Sequence, residues 1–202
     1  MGRTIHVVDD DASYRGAIVR LLSISGFNVA PYESGDQLLA LLPGAEPGCI
    51  VLDLQMPGIH GLTLQHKIAE LAPLLPVVFL TGQGDIGTGI GAMKAGAVDF
   101  LEKPASSSTL LAAVERALNQ YDSRLAEHQR RQMIQTLVDS LTPREAEVFA
   151  LVVHGHLNKQ IAHALGTSER TVKVHRHRVM EKLKVRSWAE AVSLASRIGL
   201  VE

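Results

Sequence analysis

Five polar residues in the first half of the chain have side chains suited to binding a divalent cation and a phosphoryl group. They are the carboxylates Asp9, Asp10 and Asp53, the hydroxyl of Thr81 and the ammonium group of Lys103. Three carboxylates in one cleft repel one another unless a cation lies between them, and Mg²⁺ prefers such hard oxygen ligands. A lysine and a hydroxyl beside that ion would complete a pocket for phosphoryl oxygens.

These residues stand at the ends of β-rich runs that alternate with helical stretches over residues 4–118. The predicted strands are Thr4–Val8, Asn28–Pro31, Cys49–Leu52, Val77–Leu80 and Val98–Leu101. Amphipathic stretches between them, such as Ser13–Ser25 and Ser34–Leu42, predict helices. The alternation predicts an α/β doubly wound, five-stranded parallel sheet with helices on both faces. Because such sheets bind ligands at the carboxyl ends of their strands, the five side chains should meet in one cleft.

Four strings of residues resemble the signatures of two-component receiver domains. They are Val7-Val8-Asp9-Asp10, Leu52-Asp53-Leu54-Gln55-Met56-Pro57-Gly58, Leu80-Thr81-Gly82 and Glu102-Lys103-Pro104. Their order and spacing are similar to that family over about residues 3–118. The resemblance implies a flavodoxin-like receiver fold.

The resemblance also implies a role for each residue of the acidic cleft. Asp53 would accept the phosphoryl group from a phosphohistidine or a small phosphodonor. Asp10 and Asp53 would ligate Mg²⁺ directly, and Asp9 would do so through a water molecule. The backbone carbonyl oxygen of Gln55 would complete the protein ligands, and Lys103 would neutralise a phosphoryl oxygen.

Thr81 and Phe100 would carry the response to phosphorylation, which adds about 1.5 to 2 negative charges at Asp53. By resemblance, Thr81 would turn to hydrogen-bond a phosphoryl oxygen and leave space beneath the fifth strand. Phe100 could rotate into that space, although many receivers have a tyrosine there and phenylalanine lacks the hydroxyl. The alternative for Phe100 is a static place in the core. The resemblance further implies a cis peptide bond between Lys103 and Pro104.

The fourth receiver helix has an unusual composition. It should run from about Ile86 to Ala95, yet it contains Gly87, Gly89 and Gly91. Each glycine inside a helix costs about 1 kcal/mol relative to alanine. The sequence therefore predicts that this helix is short, bent or mobile before activation.

Residues 119–140 contain no glycine or proline and are rich in helix formers. This composition predicts a continuous helix that extends the fifth receiver helix, rather than a flexible coil. Such a helix could pair with a copy of itself.

Capping boxes are predicted at three helix starts. In a capping box, a Ser or Thr side chain accepts from the backbone amide three residues later, and the Glu or Gln at that position accepts from the backbone amide of the Ser or Thr. The pairs are Ser34 with Gln37, Thr142 with Glu145 and Ser187 with Glu190. Pro143 stands at the first helical position after Thr142, where proline is favoured.

Residues 141–202 contain the pattern of a helix-turn-helix. Asn158–Leu165 predicts one helix, Gly166-Thr167 a tight turn, and Ser168 the cap of a helix over Glu169–Lys182. A last helix is predicted over Ser187–Ile198. Four helices with a glycine turn before the third predict this motif.

The helix that begins at Glu169 has two different faces when it is wound at helical spacing. Its apolar side carries Val172, Val179 and Leu183, and its exposed side carries Arg170, Lys173, Val174, His177 and Arg178. Arg176 lies at the edge of the apolar side and could reach a phosphate. A basic exposed helix beside a tight turn suits the major groove of DNA, although an ordinary solvated basic face is the alternative.

Three strings make residues 141–197 resemble a LuxR-type helix-turn-helix. They are Leu141-Thr142-Pro143-Arg144-Glu145, Asn158-Lys159-Gln160-Ile161-Ala162 and Arg170-Thr171-Val172-Lys173-Val174-His175-Arg176. By resemblance, Lys173, Val174 and His177 would face bases. The residues implied near phosphates are Lys159, Thr171 and Arg178.

Charge and cysteine content narrow the class of protein. Residues 1–120 hold 7 basic and 12 acidic side chains, whereas residues 141–202 hold 10 basic and 6 acidic ones, which favours nucleic acid as a partner of the second half. The single cysteine, Cys49, excludes an intramolecular disulfide and a multi-cysteine zinc site. No apolar run approaches the ~20 residues that span a bilayer, so a cytoplasmic protein without membrane contact is expected.

Together the two halves resemble response regulators of the NarL/FixJ type. The expected domains are a receiver at 1–120, a helical linker at 121–140 and a helix-turn-helix domain at 141–202. The implied function is phosphorylation-controlled regulation of transcription, with no enzymatic activity beyond the receiver's own phosphoryl transfer and dephosphorylation. The implied partners are a sensor histidine kinase, double-stranded DNA and, after phosphorylation, a second copy of the chain. RNA polymerase is a further candidate partner.

Two other functions are compatible with parts of the sequence. An aspartyl-phosphate phosphohydrolase also uses aspartate and Mg²⁺, but Asp53-Leu54-Gln55 lacks the second acid of the Asp-x-Asp motif. A DNA-binding protein that does not depend on phosphorylation could keep the receiver as a docking module. The intact set of acids argues against that alternative.

Overall fold

A computed structural model of the protein describes residues 3–82 and 86–201. The chain divides into two compact units, Met1–Leu125 and Ala126–Glu202, and the boundary between them falls within one long helix. Each unit has its own hydrophobic core. No helix in the part of the chain that the structure describes is both long and apolar enough to cross a bilayer.

A parallel sheet forms the centre of the first unit. In the described residues its strands are β1 (Thr4–Val8), β2 (Asn28–Tyr32), β3 (Gly48–Asp53), β4 (Val77–Thr81) and β5 (Asp99–Glu102). They are arranged in the order β2-β1-β3-β4-β5, and every neighbouring pair is parallel. The predicted five-stranded α/β fold is confirmed. Pairing with the neighbouring strands extends the carboxyl ends of β3 and β4 by one residue each, so Asp53 and Thr81 end their strands rather than follow them.

Helices cover both faces of this sheet. They are α1 (Ala12–Ile24), α2 (Gly35–Leu41), α3 (Gly61–Leu71), α4 (Ile86–Lys94) and the first half of α5 (Ser107–Asp139). Ile50 and Leu52 of β3 pack in one core with residues of α2, α3 and α4, whereas Cys49 and Val51 pack in another with residues of α1 and α5. Alternate residues of a strand point to opposite faces, which explains why a strand buried on both sides is apolar throughout. The Cys49 thiol is buried, and burial raises its pKa to about 12, as expected for a structural thiol.

The second unit is helical. Beyond α5 its helices are α6 (Pro143–Val153), α7 (Asn158–Ala164), α8 (Glu169–Leu183) and α9 (Trp188–Arg197). The helix predicted over residues 119–140 is present as far as Asp139. Leu137 and Val138, in its last turns, pack against the core around Phe149 and Leu183. The end of the predicted linker therefore belongs to the core of the second unit.

Only one of the three predicted capping boxes forms in full. Thr142 and Glu145 bond each other's backbone amides at the start of α6. Ser34 and Ser187 accept the expected hydrogen bonds at the starts of α2 and α9. However, Gln37 and Glu190 accept from the amides of Glu33 and Arg186, one residue before each cap. The prediction of a bond back to the capping serine's own amide was wrong in both cases. The side chains of Gln37 and Glu190 are long enough to reach the amide of the residue before the serine.

Candidate functional site

An acidic pocket lies at the carboxyl ends of β1 and β3. These strands are neighbours, with Val8 paired to Leu52, so the residues that follow lie side by side. Carboxylate oxygens of Asp9, Asp10 and Asp53 all lie within 4.8 Å of one another. Asp9 is fully buried and Asp53 is 4% exposed, whereas Asp10 is open to solvent. The structure thus brings together the three acids that the sequence placed at strand ends.

Lys103 is the basic residue of this pocket. Its Nζ lies 2.7 Å from Oδ2 of Asp9 and 2.7 Å from Oδ2 of Asp53. The ammonium group also lies 4.7 Å from the centre of the Tyr14 ring. Lys103 follows β5 directly, and its backbone amide donates to the carbonyl of Thr81. The peptide bond between Lys103 and Pro104 is cis, as the family resemblance implied.

The charges in the acidic pocket are unbalanced. Burial raises the pKa of Asp9, and the charge of Asp53 adds to this effect, while the hydrogen bond from Lys103 opposes it. Burial alone would lower the pKa of Lys103, but its hydrogen bonds to Asp53 and Asp9 raise it, so the ammonium form persists at neutral pH. One ammonium group facing three carboxylates leaves an excess of negative charge. This donor set fits a hard divalent cation such as Mg²⁺.

Backbone amides hold the two buried carboxylates in place. The amide of Gln55 donates to Oδ1 of Asp53 over 3.0 Å, and the amide of Asp11 donates to Oδ1 of Asp9 over 2.9 Å. The Gln55 side chain is exposed and reaches towards Gly82, where a Cβ would lie 3.8 Å from its Oε1. Gln55 therefore lies at the rim of the pocket, between the ends of β3 and β4.

Thr81 is the last residue of β4 and is 2% exposed. Its hydroxyl donates to the carbonyl of Gly82 over 2.9 Å. The strand next to it carries Asp53, which is paired with Leu80. Thr81 is therefore the residue after Leu80 on β4, beside the end of β3 where Asp53 lies. Rotation of its side chain can redirect the hydroxyl.

Phe100 packs against α4 at a glycine. A Cβ added to Gly89 would lie 3.1 to 3.3 Å from three carbons of the half-buried Phe100 ring, which is closer than most real contacts. The ring therefore occupies space that any larger residue would partly fill, which gives one of the glycines in α4 a packing role. Helix α4 covers Ile86–Lys94, nine of the ten residues expected for it, so its length shows no shortening, while bending or mobility stays a prediction.

The second unit presents the predicted helix-turn-helix. Gly166 adopts a φ of +59°, in the left-handed region that favours glycine, and so lets the chain turn between α7 and α8. Ser168 caps α8 by accepting from the amide of Thr171. The apolar side predicted for α8 is buried as Val172, Val179 and Leu183. We call α8 the recognition helix.

The residues predicted to contact DNA lie mainly on exposed surface. Lys173, Val174, His177 and Arg178 are exposed on the recognition helix, and Lys159 is exposed at the start of α7. Thr171 is half-buried, and its hydroxyl lies 2.9 Å from that of Ser168. The structure therefore groups five of the six on accessible helix surface and leaves Thr171 partly engaged within its own helix cap.

Two charged contacts in the second unit were not predicted. Arg176 donates to Asn158 and stacks on Trp188 instead of standing free at the edge of the helix. The carboxylate of Glu145, 3% exposed, accepts from Lys182 of the recognition helix over 2.6 Å. This bond and that from the Thr142 amide lower the pKa of Glu145 to about 2. The partners are 12 to 37 residues apart in the sequence, and no spacing rule relates them.

The chain matches two protein-family models, one in each unit. The model of the response regulator receiver domain matches residues 5–115. The model of bacterial regulatory proteins of the luxR family matches residues 139–195.

Characterised proteins are similar over nearly the whole chain. The transcriptional regulatory protein FixJ of Bradyrhizobium diazoefficiens is 39% identical over 197 residues, which cover 98% of this chain and 96% of the relative. The tetrathionate response regulatory protein TtrR of Salmonella typhimurium is 41% identical, and the match covers 94% of this chain and 90% of the relative. The solved structure of the response regulator StyR is 41% identical with a TM-score of 0.75, covering 98% of this chain and 100% of that one.

Proposed function

Because the chain belongs to the response regulators that join a receiver domain to a LuxR-type DNA-binding domain, we propose that Asp53 is its phosphoacceptor. The resemblance drawn from the sequence is confirmed, and the protein is a phosphorylation-dependent regulator of transcription. We propose the receiver at residues 1–120, the helical linker at 121–140 and the DNA-binding domain at 141–202.

The observation that carries this proposal is the pairing of Lys103 with both Asp9 and Asp53 beside the third acid. A carboxylate oxygen of Asp53 attacks the phosphorus of a kinase phosphohistidine. The new oxygen–phosphorus bond forms as the phosphorus–nitrogen bond breaks, and the imidazole leaves. Lys103 then neutralises a phosphoryl oxygen instead of the free carboxylate. The receiver contributes this transfer and the later dephosphorylation, and it acts on no other substrate.

Mg²⁺ is the proposed cofactor of the acidic pocket. Asp10, Asp53 and the carbonyl oxygen of Gln55 would hold the ion, and Asp9 would hold it through water. When bound, the ion supplies positive charge to the phosphoryl oxygens. The protein's own part is to fix the carboxylates, which the amides of Gln55 and Asp11 do in this structure.

Thr81 and Phe100 are proposed to report the phosphorylated state. The Thr81 hydroxyl would exchange its bond to the Gly82 carbonyl for one to a phosphoryl oxygen. Phe100 would then leave its place against Gly89 and move beneath β5. If Phe100 is instead a static core residue, Thr81 alone carries the signal.

The recognition helix is proposed to lie in the major groove of double-stranded DNA. Lys173, Val174 and His177 would face bases, while Lys159, Thr171 and Arg178 would lie near phosphates. Phosphorylation would favour a homodimer whose two recognition helices bind a pseudo-palindromic site. The proposed protein partners are a sensor histidine kinase and, at the promoter, RNA polymerase. We therefore propose that the protein acts in the cytoplasm.

Replacement of Asp53 tests the phosphoacceptor. In Mg²⁺ with a labelled small phosphodonor such as acetyl phosphate, wild-type protein should acquire label and Asp53→Asn should acquire none. Asp11→Asn is the matched control, since Asp11 is an exposed helix cap that asparagine can replace, and it should label normally. Undiminished labelling of Asp53→Asn would contradict the assignment. Equal DNA affinity of the wild type with and without the phosphodonor would instead support a regulator that ignores phosphorylation.

A further inference from the structure

Arg176 lies on the recognition helix beside residues proposed to face DNA, yet its side chain is engaged within the domain. Its Nη1 donates to Oδ1 of Asn158 over 2.7 Å. Its guanidinium carbon lies 4.6 Å from the centre of the Trp188 ring. Val174 and His177, its neighbours on the helix, are exposed, whereas Arg176 is half-buried.

These two contacts connect three helices through one side chain. Asn158 is the first residue of α7, and Trp188 is the first residue of α9. A guanidinium group can stack its face on an aromatic ring while an edge N–H donates to an oxygen, which lysine cannot do in the same geometry. Burial lowers the pKa of Arg176, yet an arginine stays charged at neutral pH. Its charge is therefore directed towards protein groups.

The contact with Asn158 has a consequence for DNA recognition. Asn158 directly precedes Lys159, which we have proposed as a phosphate contact at the start of α7. The bond from Arg176 therefore joins α8 to the start of α7, which carries that proposed phosphate contact. Phosphate contacts set the register of a protein on DNA, and base contacts read the sequence only when that register is right. Small displacements of such supporting residues are sufficient to weaken a site.

We propose that Arg176 is a positioning residue for sequence-specific DNA binding, which holds the recognition helix against α7 and α9 and does not contact a phosphate. This inference depends on the DNA-binding role of α8, but not on phosphorylation of Asp53. It replaces the phosphate contact that the sequence suggested for Arg176. Because Arg178 is exposed on the same helix and is proposed to lie near a phosphate, the two arginines form a matched pair.

Salt dependence of DNA binding distinguishes the two roles. Each phosphate contact makes the slope of log affinity against log salt more negative by about 0.9. The probes are a duplex selected from a random pool by the wild-type protein, and poly(dI-dC) for non-specific binding. The R176M variant should lose about tenfold in affinity for the selected duplex, with an unchanged slope and unchanged binding to poly(dI-dC). The R178M control should make the slope less steep by about one and weaken binding to both duplexes. If R176M made the slope less steep by about one, the proposal would be overturned.

A second variant keeps the test decisive if R176M folds poorly. N158L removes the acceptor and leaves the charge of Arg176 in place. Under the proposal, N158L weakens binding to the selected duplex at an unchanged slope, whereas N158Q, which keeps an uncharged amide acceptor, weakens it less. If N158L binds as the wild type does, Arg176 does not act through Asn158 and the proposal fails.

Trp188 is the only tryptophan, so its fluorescence reports both folding of this unit and the stacking contact. R176M should shift that emission, and R176K should restore it only in part.

Discussion

Each unit has a lysine that forms ion pairs with buried carboxylates at nearly the same distance, but the ratio of acidic to basic groups differs between the two sites. Lys103 lies 2.7 Å from both Asp9 and Asp53, with Asp10 close by, so acids outnumber the base. Lys182 lies 2.6 Å from one carboxylate, that of Glu145, and also donates to the backbone carbonyl of Ser140. The lysine–carboxylate bond thus leaves the acidic pocket with excess negative charge, whereas it neutralises Glu145.

The pKa values show this difference directly. Burial raises the pKa of Asp9 despite the ammonium group beside it. The hydrogen bond from Lys182, with that of the Thr142 amide, lowers the pKa of Glu145 to about 2. A buried carboxylate whose charge is not fully compensated favours a bound cation, whereas a carboxylate that an ammonium group and a backbone amide compensate does not need one. Excess negative charge, rather than the presence of an ion pair, distinguishes the acidic pocket from the site of Glu145.

The largest effect is expected at Lys103. Lys103→Met should reduce the rate of labelling by a small phosphodonor about 100-fold, since one preorganised cation that faces developing charge is worth this order of rate. Lys182→Met should leave that rate unchanged, because its carboxylate partner is not in the receiver unit. Initial labelling rates in Mg²⁺ provide the measurement. Equal slowing by both substitutions would mean that the contrast between the two lysines is not functional.

A smaller effect is expected at Glu145, on stability instead of phosphorylation. Glu145→Gln should lower the free energy of unfolding of the second unit by about 2 kcal/mol, the order of a hydrogen bond to a charged group. Urea unfolding followed by the fluorescence of Trp188 measures this unit selectively. Glu147→Gln is the control, since Glu147 pairs with Arg144 on exposed surface and should cost less than about 0.5 kcal/mol. A comparable loss in both variants would show that burial of the ion pair is unimportant.

The sequence predicts the acidic pocket well because strand ends position it. Asp9 follows an apolar strand, Asp53 ends one, and Lys103 follows β5, and parallel strands bring those ends to one edge. Local patterns therefore suffice for the sheet, its helices and the acids that meet beside it. The cap of α6 was predictable for the same reason, since Thr142 and Glu145 lie within one helical turn.

Contacts between helices were beyond that kind of inference. The bond between Arg176 and Asn158 and that between Lys182 and Glu145 depend on how α6, α7 and α8 pack, which periodicity does not specify. A helix pattern fixes which side of α8 is buried, but not which partner an arginine at the edge of that side will meet. For this reason the sequence places Arg176 at the edge of the buried side of α8 but does not indicate its contacts with Asn158 and Trp188.

The smallest effect concerns the pH dependence of the Glu145 contribution. Its pKa is lowered in the folded state from the ordinary 4.5 to about 2. A lowered pKa means that folding favours the ionised carboxylate, so its stabilisation is complete above about pH 4.5 and is lost as the pH falls towards 2. The difference in unfolding free energy between wild type and Glu145→Gln should therefore be constant from about pH 7 to pH 5 and should shrink below that range.

Urea titrations of both proteins at about pH 7, 5, 4 and 3.5, followed by Trp188 fluorescence, would measure this difference. The Asp9 carboxylate has a shift of the opposite sign, so folding disfavours its charged form and the receiver gains nothing from that ionisation at neutral pH. If the difference at Glu145 persisted undiminished at the lowest pH, the ionised carboxylate would not be its source. Uncharged hydrogen bonds of the helix cap would then be what stabilises the start of α6. The sites of the two lysines would in that case differ in geometry but not in charge balance.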